Sequence, residues 1–397
     1  MGYFRDLLSC SRNAAYNFIT RNTYLFFVLC LGLSSCGKEP VAPSSSGTGG
    51  TTSGSVASFK KIPLPTVNIS ALIIPVLSDF YVTNKGPYVQ IQNTNQQRWS
   101  VYKYHGGTGA SAWSSFNPSF KSKDFIPVSF EFEKENEFGI YWTEIGEKYG
   151  MYNLNNGIPS FEFDAPLPPL GPGAFSKVLS AQKGFHRLWG ISGNEVWAES
   201  ATASPKTFRK VATIPVDIAS FDYVNRVFAD PDTETVLWVA TLGKLYQISS
   251  VGSGANSAGG IVNFWTFSPA GSTELITTLL KVDGALVVQV ANKVYRLDGT
   301  TFKKLGTLNI SQTATSNIAT NGSTIYASDG TYYKASTNTW ESFIGNGKNL
   351  SATDQSRYDE LKGYCAAGSP IGVLKGSSQG PVYLLGLTEL IEIAPSL

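Results

Sequence analysis

The chain has 397 residues and a formal net charge of +2; 15% of its residues are charged and 13% are aromatic. Glycine (39 residues) and proline (20 residues) are frequent, which suits many short strands joined by tight turns rather than a body of long helices. The nearly balanced charge argues against a protein that binds nucleic acid, because such proteins rely on a basic surface.

The first 35 residues predict a signal peptide that is removed from the mature protein. Arg5, Arg12 and Arg21 precede the apolar run TYLFFVLCLGL at 23–33. This run is too short to span a bilayer, which takes about 20 residues, but it suits the apolar core of a signal peptide. Removal of the whole signal peptide takes away three Arg and one Asp and leaves equal numbers of basic and acidic residues. Nucleic acid is therefore not expected as a partner.

The sequence LSSC at 33–36 follows the apolar run directly. It resembles the lipobox of bacterial lipoproteins, in which the cysteine is acylated by fatty acids such as palmitate and becomes the first residue after cleavage. The resemblance implies that Cys36 is the lipidation site and ties the chain to a membrane. An ordinary secretory signal and an uncleaved anchor are the alternatives.

Residues 36–57 are rich in Gly, Ser and Thr and lack apolar periodicity, which predicts a flexible tether. A lipidated cysteine followed by such a tether resembles lipoproteins of the Bacteroidota type. Gly37 stands where inner-membrane retention in enterobacteria would place Asp. These resemblances imply a lipid-anchored protein of the bacterial outer membrane, on either face, with one folded domain over 58–397.

A hairpin unit recurs seven times along that domain. The stretch VLWVATLGKLYQIS at 236–249 shows it clearly as strand, glycine turn and strand. Residues alternate with a period of two, which predicts strands and not helices. The related hairpins lie at 79–92, 138–155, 187–200, 285–298, 324–336 and 381–393.

Further strands flank each hairpin. Apolar segments such as 71–77, 127–132 and 274–282 precede them. Every hairpin but the last is also followed by a strand with an aromatic residue: Trp99, Phe161, Phe208, Trp265, Phe302 or Trp340. Four strands in each unit of roughly 40 to 60 residues is the repeat expected of a β-propeller.

The last hairpin has no fourth strand of its own. SFKKIPLP at 58–65 resembles TFRKVATIP at 207–215 and TFKKLGTL at 301–308, so it is predicted to supply that strand. Such pairing closes the ring and leaves no open sheet edge between its ends. We therefore predict an all-β fold, a β-propeller of seven four-stranded blades, with six or eight blades as alternatives.

Two stretches resemble known propeller families. TYYKASTNTWESF at 331–343 resembles the second half of a kelch repeat, and LWVATLGKLYQI at 237–248 resembles propeller repeats of bacterial two-component sensors. The resemblance implies a propeller over 58–397. It implies no activity, because one fold hosts many functions.

Catalytic and metal-binding motifs are not evident. His105 and His186 are 81 residues apart, which disfavours a histidine metal centre, and no G-x-S-x-G sequence marks a nucleophile. Cys365, within GYCAAGSP, is predicted to be a buried packing residue on an inner strand. No metal and no cofactor are expected, and enzymatic activity is less expected than binding.

Candidate contacts for a ligand or partner are assigned to loops, which carry function on rigid scaffolds. The segment 105–124 displays aromatic residues among small polar ones, which suits stacking on sugar rings or on a protein; the alternative is that they fold back onto the domain. A second predicted loop spans 344–358. Asp222 lies near another predicted loop, one that enters an inner strand. The candidates are His105, Trp113, Phe116, Asp222, Asp354, Arg357 and Tyr358.

These patterns favour a non-catalytic envelope lipoprotein whose propeller binds a protein partner or a glycan. The alternatives are a glycan-active hydrolase or lyase on the same scaffold, and a structural subunit of an envelope complex.

Overall fold

The structure is a computed structural model. It describes residues 56–65, 76–83, 86–93, 98–107, 110–116, 125–134, 137–144, 148–153, 158–164, 177–181, 187–199, 208–216, 224–230, 232–233, 235–251, 259–267, 274–310, 316–320, 322–365, 373–376, 381–385 and 389–394. They belong to one compact unit, Ser53–Leu397. The predicted signal peptide, Cys36 and Asp222 lie outside them. None of the described helices is long and apolar enough to cross a bilayer.

The described residues are predominantly β. The strands are β1 (Ser58–Pro63), β2 (Val76–Thr83), β3 (Gly86–Asn93), β4 (Arg98–Tyr104), β5 (Trp113–Phe116), β6 (Phe125–Lys134), β7 (Glu137–Glu144), β8 (Lys148–Asn153), β9 (Ile158–Asp164), β10 (Lys177–Ala181), β11 (Arg187–Ser192), β12 (Glu195–Glu199), β13 (Phe208–Thr213), β14 (Arg226–Ala229), β15 (Val236–Ala240), β16 (Lys244–Ser249), β17 (Gly260–Thr266), β18 (Ile276–Val282), β19 (Ala285–Val290), β20 (Lys293–Asp298), β21 (Thr301–Thr307), β22 (Ile318–Thr320), β23 (Ile325–Ala327), β24 (Thr331–Lys334), β25 (Thr339–Ser342), β26 (Val373–Gly376), β27 (Val382–Leu385) and β28 (Glu389–Ala394). One α-helix, α1 (Ala352–Cys365), and a 3₁₀ turn, Ala110–Ala112, accompany them.

Seven four-stranded antiparallel sheets are present among the described residues. Sheets 1 to 6 are formed by consecutive strands: β2–β5, β6–β9, β10–β13, β14–β17, β18–β21 and β22–β25. Sheet 7 has the order β1-β28-β27-β26 and so combines both ends of the described chain.

Most neighbouring sheets meet through one edge strand each, which is the first strand in sheets 2 to 6 and β26 in sheet 7. This holds for β6 and β10, β10 and β14, β14 and β18, β18 and β22, and β22 and β26. Strand β26 also lies beside β2, and sheet 1 meets sheet 2 through β4 and β6. The sheets therefore follow one another in sequence order, and sheet 7 adjoins sheet 1.

The pairing that the sequence predicts for 58–65 is present in the structure. Strand β1 runs antiparallel to β28, with Phe59 opposite Ile393 and Ile62 opposite Leu390. The preceding Ala57, assigned from sequence to the tether, is buried, and its backbone N–H donates to the Ile344 carbonyl at 3.2 Å.

The three similar segments occupy equivalent positions. Each forms the outermost strand of its sheet, as β1, β13 and β21. The apolar residue three positions after the phenylalanine is buried in every case: Ile62, Val211 and Leu305. The residues between, Lys60–Lys61, Arg209–Lys210 and Lys303–Lys304, are exposed or partly exposed. The recurring pattern thus reports a strand with one buried anchor and a charged outer surface.

Tight turns join the strands where the sequence places Gly, Asp and Asn. In sheet 5, Val282 pairs with Ala285 across the turn. The turn residues Asp283 and Gly284 have φ of 47° and 72°, the left-handed conformation that two-residue hairpin turns require. Asp tolerates this region better than most residues, and Gly adopts it without a Cβ penalty.

The core consists of apolar clusters between adjacent sheets. One joins sheets 3 and 4 through Trp189, Val211 and Tyr246. Others lie between sheets 4 and 5, between sheets 5 and 6, and between sheets 7 and 1. Sheets 6 and 7 share a cluster with α1. In the described residues, these shared clusters stabilise the packing of neighbouring sheets by removing apolar surface from water.

Two sequence predictions are wrong in detail. The first concerns sheet 1, where Arg98–Tyr104 is the third strand and Trp113–Phe116 is the fourth. The segment 105–124 is therefore not one long loop. The second concerns 344–358. The sequence predicts a loop there, but α1 begins at Ala352. Cys365 consequently ends a helix instead of lying on an inner strand.

Candidate functional site

An open pocket of about 400 Å³ lies between sheets 1 and 7. Its walls come from β3 and β4 on one side and from β27 and β28 on the other. The lining residues are Pro87, Lys103, Tyr104, His105, Gly106, Tyr383 and Glu392. Because the strands are antiparallel, these residues gather at the end of the sheets that holds the turns between first and second strands. The opposite end holds α1, which leads into the first strand of sheet 7.

Two hydrogen-bonded tyrosines line the pocket. The Lys60 ammonium donates to the Tyr104 hydroxyl at 2.6 Å, and that hydroxyl donates to the Gly107 carbonyl at 2.9 Å. The Tyr383 hydroxyl donates to Glu392 Oε2 at 3.2 Å. Cross-strand pairing places Tyr383 on β27 opposite Glu392 on β28, and Glu392 is also opposite Lys60 on β1.

Burial raises the pKa of two tyrosines at or near the pocket, Tyr88 and Tyr383. It raises the pKa of Tyr88, which is 1% exposed, to about 12. Burial and the charge of Glu392 likewise raise the pKa of Tyr383 above its ordinary value. The Lys103 ammonium lies 5.7 Å from the centre of the Tyr88 ring, a cation–π distance. The pocket therefore offers tyrosine side chains beside one carboxylate, Glu392, and one lysine, Lys103.

His105 is the one sequence candidate that lines this pocket. It is exposed, and its Nε2 is hydrogen-bonded to Ser114 Oγ. A hydrolase triad also needs a carboxylate that orients the imidazole, and in the described part of the chain no carboxylate bonds to His105. In the same residues, no group of three His, Cys, Asp or Glu side chains could hold a metal ion.

Trp113 lies next to the pocket but faces the core. It is 7% exposed, its ring is tilted against Tyr104 at 5.3 Å, and its indole N–H donates to the Pro63 carbonyl at 2.7 Å. The structure therefore gives Trp113 a packing position between sheets 1 and 7 in place of the surface position considered for it. Phe116 lies on the same strand, opposite Val101.

Asp354, Arg357 and Tyr358 lie on α1, away from the pocket. The Ser351 hydroxyl donates to Asp354 Oδ2 at 2.7 Å, and the Asp354 backbone N–H donates to Ser351 Oγ at 3.1 Å. This reciprocal pair caps the helix N-terminus. Arg357 is exposed, with its Nη1 3.9 Å from Asp354 Oδ1, and Tyr358 packs partly buried against the cluster between sheets 6 and 7. These three side chains support the helix and do not meet His105.

Cys365 is a free thiol, 4% exposed. Burial raises its pKa to about 12, so it stays protonated near neutral pH. The burial of Cys365 agrees with the prediction of a buried packing cysteine, although Cys365 ends a helix and not a strand.

Sequence reasoning missed Tyr104, Tyr383 and Glu392. They lie on strands whose pattern signals only pairing, and they meet because sheets 7 and 1 adjoin. The helix had a readable signal, since Ser351-x-x-Asp354 is a capping motif.

The chain is similar to known proteins among solved structures. No family model and no curated protein matches the sequence. Among solved structures, the β-propeller domain of Cps50 (Swd1) from Myceliophteria_thermophila is similar with a TM-score of 0.49 and 12% identity, covering 85% of this chain and 100% of that one. The extracellular domain of a hybrid two component system from B. thetaiotaomicron has a TM-score of 0.49 and 12% identity, covering 85% of this chain and 39% of that one.

A third similar structure is YCF48 bound to D1 peptide, with a TM-score of 0.47 and 13% identity, covering 84% of this chain and 94% of that one. At these values, none of the three assigns a ligand or an activity to this chain.

Proposed function

We propose that the chain is a non-catalytic binding scaffold of the bacterial envelope, built as a closed seven-bladed β-propeller. Support for the closed ring comes from the seven four-stranded sheets, the adjacency of sheet 7 to sheet 1 and the pairing of β1 with β28. Such a ring holds loops and pockets rigidly in place.

The pocket between sheets 1 and 7 carries the proposal. Its volume of about 400 Å³ falls in the range of small-ligand sites. Glu392 accepts hydrogen bonds and Lys103 donates them, while the tyrosine rings offer apolar faces. Hydroxyl groups that both donate and accept, arranged on a partly apolar ring, suit this lining, so the ligand class is a mono- or disaccharide unit of a glycan.

The proposed location of the scaffold rests on the sequence. The lipobox LSSC and the tether at 36–57 support an acylated Cys36 and attachment to the outer membrane. Metabolic labelling with palmitate tests this attachment. The wild-type chain and Cys30→Ser are expected to carry the label and Cys36→Ser to lack it; equal labelling of all three would contradict acylation at Cys36.

The binding test uses the full-length chain in mild detergent on an array of bacterial envelope mono- and disaccharides, followed by calorimetry with the sugar that binds best. Glu392→Gln is expected to weaken binding about tenfold, since a hydrogen bond to a charged group is worth roughly 1.5 to 3 kcal/mol. His105→Ala is expected to weaken it about fivefold, since an ordinary hydrogen bond is worth about 1 kcal/mol. Lys348→Ala, exposed and near α1, is the control and leaves affinity unchanged.

Binding that is absent, or unaffected by both pocket variants, overturns the assignment of this pocket. Hydrolysis of a glycan that Ser114→Ala abolishes would instead favour the hydrolase alternative, because Ser114 is the residue paired with His105. A protein captured with this pocket intact but no sugar bound would favour the partner-protein alternative.

A further inference from the structure

Two like charges lie directly opposite each other on sheet 5. Strands β20 and β21 pair antiparallel, and Arg296 is in register with Lys303. Directly opposed residues lie on the same face of a sheet with Cβ atoms about 5 Å apart, and like charges at such positions are destabilising. In the other strand registers that the structure describes, no two residues of like charge are opposed. This pair therefore departs from a rule that the rest of the described sheets follow.

The two side chains lie at the outer end of one row across sheet 5. The row runs from Leu280 through Val287 and Arg296 to Lys303. Leu280 and Val287 belong to the apolar cluster between sheets 5 and 6. Arg296 is partly buried and Lys303 is exposed. The two charges therefore lie at the rim of an apolar face, where a molecule in solution can reach them.

Neither cation is neutralised within the part of the chain that the structure describes. The guanidinium of Arg296 and the ammonium of Lys303 form no hydrogen bond and no ion pair there. Asp298, two residues further along β20, is exposed and pairs with neither. By contrast, Lys293 on the same strand has an acidic partner, with its Nζ 2.7 Å from Glu274 Oε1. The positive charge of the Arg296–Lys303 pair is therefore available to an anion from outside the chain.

A phosphate group matches this pair in charge and in geometry. A phosphate ester carries about −1.5 to −2 charges at neutral pH and offers three strong acceptor oxygens, whereas a carboxylate carries a single negative charge. The planar guanidinium of arginine binds phosphate oxygens in a bidentate manner, and a lysine ammonium adds a point charge beside it. A phosphate held between the two cations also replaces their repulsion with attraction.

We propose that Arg296 and Lys303 form a binding site for a phosphate group, either inorganic phosphate or a phosphate ester. The site lies on sheet 5 and shares no residue with the pocket between sheets 7 and 1, so the two sites can fail independently.

Calorimetry of the full-length chain in mild detergent tests this site with inorganic phosphate and with glycerol phosphate. Chloride at the same ionic strength serves as the reference, because salt alone screens exposed charges. Lys303→Gln and Arg296→Gln are each expected to raise the dissociation constant about tenfold, since each removes a charge-assisted hydrogen bond. The matched control is Lys304→Gln. Lys304 is the next residue on β21, is exposed and lies opposite Tyr295 on the other face, so its loss leaves the affinity unchanged.

Chemical denaturation gives a second readout. Without phosphate, Lys303→Gln is expected to be at least as stable as the wild type, because the substitution removes the repulsion between the opposed charges. Saturating phosphate is expected to raise the denaturation midpoint of the wild type, because a ligand that binds the folded state stabilises it. The midpoint of Lys303→Gln should stay nearly unchanged. Circular dichroism checks that each variant is folded, and Lys303→Gln, at an exposed position, decides alone if Arg296→Gln does not fold.

A wild-type chain that responds to phosphate no more than to chloride overturns the proposal. So does phosphate binding that persists unchanged in Lys303→Gln. An equal loss of affinity in Lys304→Gln would show general attraction to a basic surface, which also contradicts a site at this pair. Tighter binding of glycerol phosphate than of inorganic phosphate would identify an ester as the ligand, and the reverse order would identify the free ion; both results support the site.

Discussion

At the scale of single residues, burial decides the ionisation of the phenols and the thiol. Tyr88 and Cys365 are almost fully buried, and burial raises the pKa of each to about 12. Both groups are neutral in the folded protein at pH values where they would ionise in an unfolded chain. Each therefore contributes stability that is complete below its unfolded pKa and is lost as the pH rises toward 12.

Tyr88→Phe tests this linkage. For Tyr88 the loss falls between pH 10 and about 12; the full shift corresponds to about 2.7 kcal/mol, of which about 2 kcal/mol is lost by pH 11.5. We expect the wild-type free energy of unfolding to fall between pH 9 and pH 11.5. In Tyr88→Phe the fall should be smaller by about 2 kcal/mol, as measured by urea denaturation at both pH values.

The control for this measurement is Tyr358→Phe, which changes a partly exposed tyrosine on α1. It is expected to retain the whole pH-dependent fall of the wild type. An equal fall in Tyr88→Phe and in the wild type would show that this phenol does not contribute.

At the scale of elements, the repeat was readable because each hairpin alternates with a period of two and turns at Gly, Asp or Asn. Sheets 2 to 6 therefore agree with the strands predicted for them. In sheet 1 the prediction started one strand too early, because WSSF at 113–116 is short and follows a loop of small residues. The helix was missed because its residues are mostly polar and its buried face is narrow, with Leu361 and Cys365 as its fully buried members.

Ser351→Ala tests the cap of α1. The substitution removes the hydroxyl that accepts from the Asp354 backbone N–H and donates to the Asp354 carboxylate. Loss of an N-cap hydroxyl costs about 1 kcal/mol, so the free energy of unfolding in chemical denaturation is expected to fall by that amount.

Ser356→Ala, at an exposed position within the same helix, is the matched control. It removes a hydroxyl without touching the cap, and alanine is the better helix former. Stability is therefore expected to stay the same or rise slightly. An equal loss in both variants would contradict the capping role of Ser351.

At the scale of the whole molecule, β1 links the two ends of the described chain. Ile62 is fully buried in the cluster between sheets 7 and 1, together with Val89, Tyr383 and Leu390. Loss of this anchor exposes the edge of β28 and opens the junction that forms the pocket. In the proposed closed ring, that damage is expected to reach the other sheets, since neighbouring sheets share apolar clusters.

Ile62→Asp tests this dependence. A buried carboxylate without a partner costs several kcal/mol, so the whole denaturation curve is expected to move to lower denaturant as one transition. Ser58→Asp, exposed on the same strand, serves as control and should leave the curve within about 0.5 kcal/mol of the wild type. Separate transitions, one shifted and one unchanged, would contradict a cooperative ring.

The sequence by itself determined the strand repeat, the positions of most turns and the partner of the first strand, because these depend on local alternation and on the reuse of one F-K-K pattern. It also predicts a lipobox at 33–36, because that motif is a linear signal. Only the tertiary structure decided which side chains meet. Tyr104, Tyr383 and Glu392 come from strands about 280 residues apart and form a pocket because sheets 7 and 1 adjoin.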